Sequence, residues 1–296
     1  MQYQRNRMYN LIVKQDAGFQ LEINTLHIEF TVTKYADNKK KPNKARVSIY
    51  NLPADFQRYV EAPFVECVLQ VGYLGIGTQQ LFAGQVTLAK TEKRGADVVT
   101  TLELDSLYTT LNHKKVTKTV APGRTIQEVI MSLTADTPEI TKSVFSGEGI
   151  KAKVVDGYPL MGSPRQILTE LAQAYSFEWQ IDDKTLYIND IEGSYTNNLK
   201  TCYVVAEGTG LIERPYHETI EKGRGKKDKR KRGRKGVQLT MLLNPAITAG
   251  SIIKIEYEGF TDFYKVEAIT SKGSYEGDDW TSELKCSTLA DKKKAK

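Results

Sequence analysis

The chain has 296 residues, 40% of them hydrophobic, and a formal net charge of +6 that is unevenly placed. That length accommodates two or three domains, and no run of roughly 18 apolar residues is present to span a bilayer. Cysteines at Cys67, Cys202 and Cys286 and histidines at His27, His113 and His217 are too scattered for a disulfide framework or a zinc centre. Buried, inert thiols in a reducing cytoplasm are expected instead. The opening "MQYQRNRMYNLIVK" lacks the apolar core and small-residue cleavage site of a secretory signal.

In chain order, the first part reads as strands. Leu21 to Val32 alternates with a slip between Ile23 and Leu26, which predicts a bulge or turn at Asn24-Thr25. "DNKKKPNK" predicts a loop, and Ala45 to Leu52 a second alternating strand. "PADFQRYV" predicts a short helix with Pro53 at its first position. "VECVLQVGYLGIGTQQLFAGQVTLAKTEKRGADVVTTLELDSL" predicts paired strands joined by glycine turns. Together these give a barrel-like domain over residues 1–112.

Helical spacing follows. Ile126, Val129, Ile130 and Leu133 form one stripe, with Thr125 as N-cap and Glu128 completing a capping box. Ser163, Pro164 and the stripe Ile167, Leu168, Leu171 and Tyr175 predict a second helix, then a hairpin from "FEWQI" through "DDK" to "TLYIND". These make a small α/β insert over 113–195. Strands return over 196–296, a second barrel-like domain interrupted by a mobile basic loop at 219–236. The predicted class is therefore mainly β with a small α/β insert, two barrel-like domains flanking it.

Enzymatic signatures are missing. There is no G-x-S-x-G elbow, H-E-x-x-H helix or G-x-x-x-x-G-K-[ST] loop. "GYLGIGTQQ" opens a strand, so it offers no helix N-terminus to a phosphate. Paired carboxylates such as Asp182-Asp183 and Asp278-Asp279 fall in turns. No catalytic residue, cofactor or metal is expected.

The charge is an appendage. Lys222, Arg224, Lys226, Lys227, Lys229, Arg230, Lys231, Arg232, Arg234 and Lys235 stand against Asp228 alone, and the rest of the chain carries 32 basic and 35 acidic residues. Such a run could contact a polyanion with steep salt dependence, or meet an acidic partner surface, or simply stay solvated. It has no aromatic residue to stack on bases.

"GTGLIERP" carries Gly210, Leu211 and Pro215; "GVQLTMLLNPAITAG" carries Asn244, Pro245 and Gly250; "FYKVEAITSKGSYEGDDWTSEL" carries Gly273 and Trp280. This ordered series resembles the baseplate hub proteins of contractile-tailed phages, in the wider group of late-control protein D-like tail proteins and the hubs of contractile injection systems. "VSIYNLPADF" and "QQLFAGQVTLA" resemble the first hub barrel, and "SPRQILTELAQAYSFEWQIDDKTLYI" the insert. Glu213 replaces a usual Gly, Ser271 replaces a frequent His, and the basic run is an expansion.

The resemblance implies a homotrimeric ring that adapts a hexameric tail tube to a trimeric central spike and lines the DNA channel. Implied partners are the spike, the tube protein, baseplate wedge or other baseplate proteins, the tape-measure protein and DNA in transit. The implied location is the virion tail baseplate, after synthesis and assembly in the host cytoplasm. The alternatives are a nucleic-acid-binding protein using its Lys/Arg-rich run, and a cell-wall-binding tail protein.

Overall fold

The computed structural model describes residues 6–14, 18, 20–39, 41–62, 64–191, 202–220 and 234–289. Its first part holds β1 (Arg7–Lys14), β2 (Gln20–Ile23), β3 (Ile28–Tyr35), β4 (Lys44–Tyr50), α1 (Ala54–Val60), β5 (Glu66–Tyr73), β6 (Gly77–Arg94) and β7 (Asp97–Asp105). The strands lie in the order β3-β4-β7-β6-β5-β1-β2, each antiparallel to its neighbour. Alternation puts one face of every strand inward: Leu11, Leu21, Ile28, Val47, Cys67, Phe82 and Leu102 meet in one core. A sheet whose seven strands share one core must wrap around it. Pro53 is the N-cap of α1, with ψ 140°, so it lies one position earlier than the sequence predicts.

The insert holds α2 (Tyr108–Asn112), β8 (Val116–Val120), α3 (Ile126–Ala135), β9 (Lys142–Phe145), β10 (Tyr158–Gly162), α4 (Pro164–Tyr175), β11 (Phe177–Asp182) and β12 (Thr185–Asp190). Thr125 and Glu128 form the reciprocal capping box of α3, and Ser163 caps α4 with Pro164 in its first turn. Strand β9 pairs parallel to β12, completing the sheet β11-β12-β9, while β8 and β10 form a separate pair. Ile126, Leu133, Leu168, Leu171, Phe177 and Trp179 fill the core between helices and sheet.

The last part holds β13 (Tyr203–Val205), β14 (Tyr216–Ile220), β15 (Arg234–Leu242), β16 (Ile252–Ile255), β17 (Asp262–Ser274) and β18 (Trp280–Thr288). Their order is β14-β15-β18-β17-β16-β13, around a core that includes Val237, Leu239, Ile253, Val266 and Leu284. The molecule is mainly β, with two barrel-like parts and a small α/β insert.

The two barrels share a strand. Asp262 to Lys265 of β17 pair with β16, and Ala268 to Ser274 pair with β3, so one 13-residue strand serves both sheets. The ladder to β18 shifts register between Val266 and Ala268, where β17 changes partner. A bulge there bends the strand from one barrel into the other.

The basic loop is shorter than the predicted 219–236. Thr219 and Ile220 pair with Lys235 and Arg234, and Gly236 pairs with Glu218. This backbone ladder extends β14 through Ile220 and holds Arg234 to Gly236 in β15. Residues Lys222 to Arg232, which hold the other eight cations, lie outside the described residues.

Candidate functional site at the junction of three cores

The segment Leu242–Gly250 touches every part of the molecule. Leu243 is 1% exposed and belongs to the first barrel's core, while Ile247 and Ala249 belong to the second. Thr248 Oγ1 donates to Asp182 Oδ2 at 2.9 Å, and Gln180 Nε2 donates to the Ala249 carbonyl at 3.0 Å, both reaching β11 of the insert. The local sequence makes this path. Asn244 Oδ1 accepts from Ala246 N–H at 3.1 Å, the Asx turn that Asn favours. Pro245 fixes its own φ, and Gly250 takes φ +85° while donating to the Val266 carbonyl at 2.7 Å.

Trp280 secures the seam from the other side. It is 2% exposed within the first barrel's core, edge-on to Phe30 at 5.3 Å between centroids. Gly273, paired to Phe30 across β17 and β3, makes room for both rings, since a Cβ there would lie 2.9 Å from Trp280 Cε3 and collide with Phe30 Cζ. Arg7 sits over the indole at 5.5 Å and donates to the carbonyls of Ser274 and Asp278 at 2.9 and 2.7 Å. Tyr73 Oη donates to the Leu243 carbonyl at 2.8 Å. Ser271 packs its hydroxyl on that of Ser282 at 2.8 Å, both buried.

The "GTGLIERP" segment braces β15. Gly210 takes φ +108° and accepts from Leu242 N–H at 2.7 Å, Leu211 bridges to Met241, and Pro215 is buried just before β14. Glu213 is exposed and accepts from Thr240 Oγ1 at 3.2 Å.

The insert is held by polar groups. Asn38 and Asn43 grip β11: Asn38 Oδ1 accepts from Ile181 N–H at 2.9 Å, and Asn43 Nδ2 donates to the Ile181 carbonyl at 2.9 Å. Asn38 N–H donates to the Trp179 carbonyl at 2.7 Å, and Lys39 Nζ to that of Phe177 at 2.9 Å. Lys34 pairs with Asp182 at 2.8 Å, and the fully buried Lys265 with Glu178 at 2.8 Å, with Glu267 at 3.7 Å from the same ammonium. Burial raises Glu178 to about 7 against the pull of Lys265, and the charge of Glu267 adds to the rise. Burial likewise pushes Asp37 upward. Sequence reading gave no hint of this cluster, because its members lie far apart in the chain and no local pattern marks them.

Of the predicted site residues, the structure gathers Asn244, Pro245, Gly250 and Trp280 at the junction and sets Gly210, Leu211 and Pro215 along β15. Arg234 and Lys235 lie in the β14–β15 hairpin, away from this cluster. Burial pushes the Cys67 thiol up to about 12 and the Cys286 thiol upward as well. Among the described residues no His, Cys, Asp and Glu cluster is placed to hold a metal.

No family model and no curated protein matches the chain. Solved structures do. A tail protein from Neisseria meningitidis MC58 superposes with a TM-score of 0.64 at 13% identity, over 94% of this chain and 96% of that one. The 43 kDa tail protein of prophage MuSo2 from Shewanella oneidensis gives 0.65 at 8%, over 96% and 99%. The E. coli c3393 protein, described as a type VI secretion component similar to the T4 tail proteins gp27 and gp5, gives 0.62 at 7%, over 90% and 74%. The chain therefore has the fold of phage tail proteins and of a type VI secretion component built like them.

Proposed function

We propose that this protein is a structural baseplate hub of a contractile phage tail. The observation that carries the reading is the shared strand β17, which makes two barrels into one body. Three such chains around an axis present six barrels, a match in symmetry to a hexameric tube above and a trimeric spike below. The likeness in fold to tail proteins along nearly the whole chain supports it. The chain acts mechanically and not as an enzyme. It seats the spike, starts the tube, meets neighbouring baseplate proteins and the tape-measure end, and lines the path of DNA.

In this reading the basic run faces DNA in transit or an acidic partner, since its charge of about +9 sits on a body of about −3. Imaging intact tails by electron cryomicroscopy tests the proposal: density for three copies between tube and spike supports it, and a position away from the tail axis overturns it. DNA binding that is lost on removal of Lys222 to Arg232, by a protein that takes no place in the tail, would favour the nucleic-acid alternative.

A further inference from the structure

A cleft between the first barrel and the insert has no part in the reading above. It encloses about 750 Å3, well within the size of small-molecule sites. Phe64 lines it, 46% exposed, with its ring stacked on Tyr108 at 6.1 Å and 16° and with His113 tilted against both rings, 6.4 Å from Phe64 and 5.2 Å from Tyr108. An aromatic ring braced on an aromatic partner and open to a cleft is a stacking platform.

Phe64 also adopts φ +60°, and Leu107, another lining residue, adopts φ +47°. Bulky side chains rarely occupy this region, and such strain gathers at ligand sites. Asp183 and Lys184, with φ of 47° and 58°, line the cleft too, but theirs is the ordinary geometry of a two-residue hairpin turn.

The chemistry of the walls defines the ligand. Glu66 and Lys184 neutralise each other at 2.7 Å, Glu139 has Lys114 at 3.5 Å, and the remaining charged lining residues, Lys14 and Asp183, are of opposite sign, so a strongly charged ligand gains little. Thr109 of α2 and Gln85 of β6 bond to each other at 2.8 Å, while Thr141, Glu139 and Asp183 stand exposed on the insert side. These are groups that bond hydroxyls. Among the described residues the strand edges at the cleft are covered: β5 lies between β1 and β6, β6 between β5 and β7, and the outer edge of β11, whose Ile181 lines the cleft, is bonded there by Asn38 and Asn43.

We propose that this cleft binds a neutral oligosaccharide, with one sugar ring stacked on Phe64 and its hydroxyls held by Thr141, Glu139 and Asp183. The test is saturation-transfer NMR and calorimetry on the full chain with chitotetraose, cellotetraose and maltotetraose. Binding of one of them at millimolar Kd or tighter is expected. Phe64→Gly should weaken it about tenfold while the midpoint of thermal unfolding stays within about 4 °C, because glycine tolerates this φ without strain. Phe64→Tyr should retain binding. Absence of binding for all three sugars overturns the proposal, as does undiminished binding by folded Phe64→Gly.

Discussion

The two interfaces inside this molecule are made differently. Between the barrels, a backbone ladder runs through β3 and β17, and Phe30, Gly273 and Trp280 fill the space beneath it without an ion pair between them. Between the insert and the barrels, asparagines, lysines and carboxylates do the work, two lysines among them buried. An apolar seam with a continuous ladder gives stiffness. A polar interface gives a unique orientation at the cost of desolvation, and it responds to pH.

The largest effect should come from the seam. Trp280→Ala empties a fully packed indole site and removes the surface under Arg7, for a loss of about 3–5 kcal/mol in denaturant unfolding. Gly273→Ala forces a methyl against both rings and should cost about 2–3 kcal/mol. If either change leaves stability within about 0.5 kcal/mol of the parent, the barrels are not joined through this packing.

At the insert the effects should be smaller and pH-dependent. Lys265→Met removes the partner of Glu178, which costs about 2–3 kcal/mol at pH 8 and clearly less at pH 6, where the carboxyl takes up a proton. In the parent protein, Glu178 has a folded pKa of about 7, above its unfolded value of 4.5. The folded state therefore binds the extra proton in that window, so this group's contribution makes stability fall as pH rises from about 4.5 to 7. Glu178→Gln should flatten that slope in thermal melts. Glu128, lowered to about 2 by the Thr125 backbone and side chains of Arg124 and Thr125, acts in the opposite sense and at lower pH: its stabilisation is present above pH 4.5 and lost as pH falls towards 2.

The smallest effect on stability should follow deletion of Lys222 to Arg232. The deletion leaves the paired positions Ile220 and Arg234 to be joined by a short turn, and unfolding should shift by no more than about 3 °C. Tail assembly or infectivity should nevertheless fall. Unchanged infectivity would make the run a solvated appendage.

What could be read in the sequence was local. The capping box of α3, Ser163 before α4 and the turn between β11 and β12 all rest on residues a few positions apart. The Asn244-Pro245 turn was legible for the same reason. The long-range choices were not: β1 pairs with β5 from Arg7 with Tyr73 to Lys14 with Glu66, and no local pattern in the first residues names that partner. Strand β17 looked like one ordinary strand because nothing in its alternation says that it has two partners. Gly273 and Trp280 stood out as a motif, but their shared contact, Phe30, lies more than 240 positions away. Lys265 resembled any surface lysine until Glu178 was placed against it.

The central claim is that two joined barrels form one of three equal parts of a ring, and the mass of the purified protein in solution tests it most directly. Light scattering with and without the candidate spike protein should give about 100 kDa for this chain, three times 33.3 kDa, either alone or once the spike is added. A chain that stays at 33.3 kDa in the presence of the spike, and binds DNA at physiological salt instead, would contradict the account.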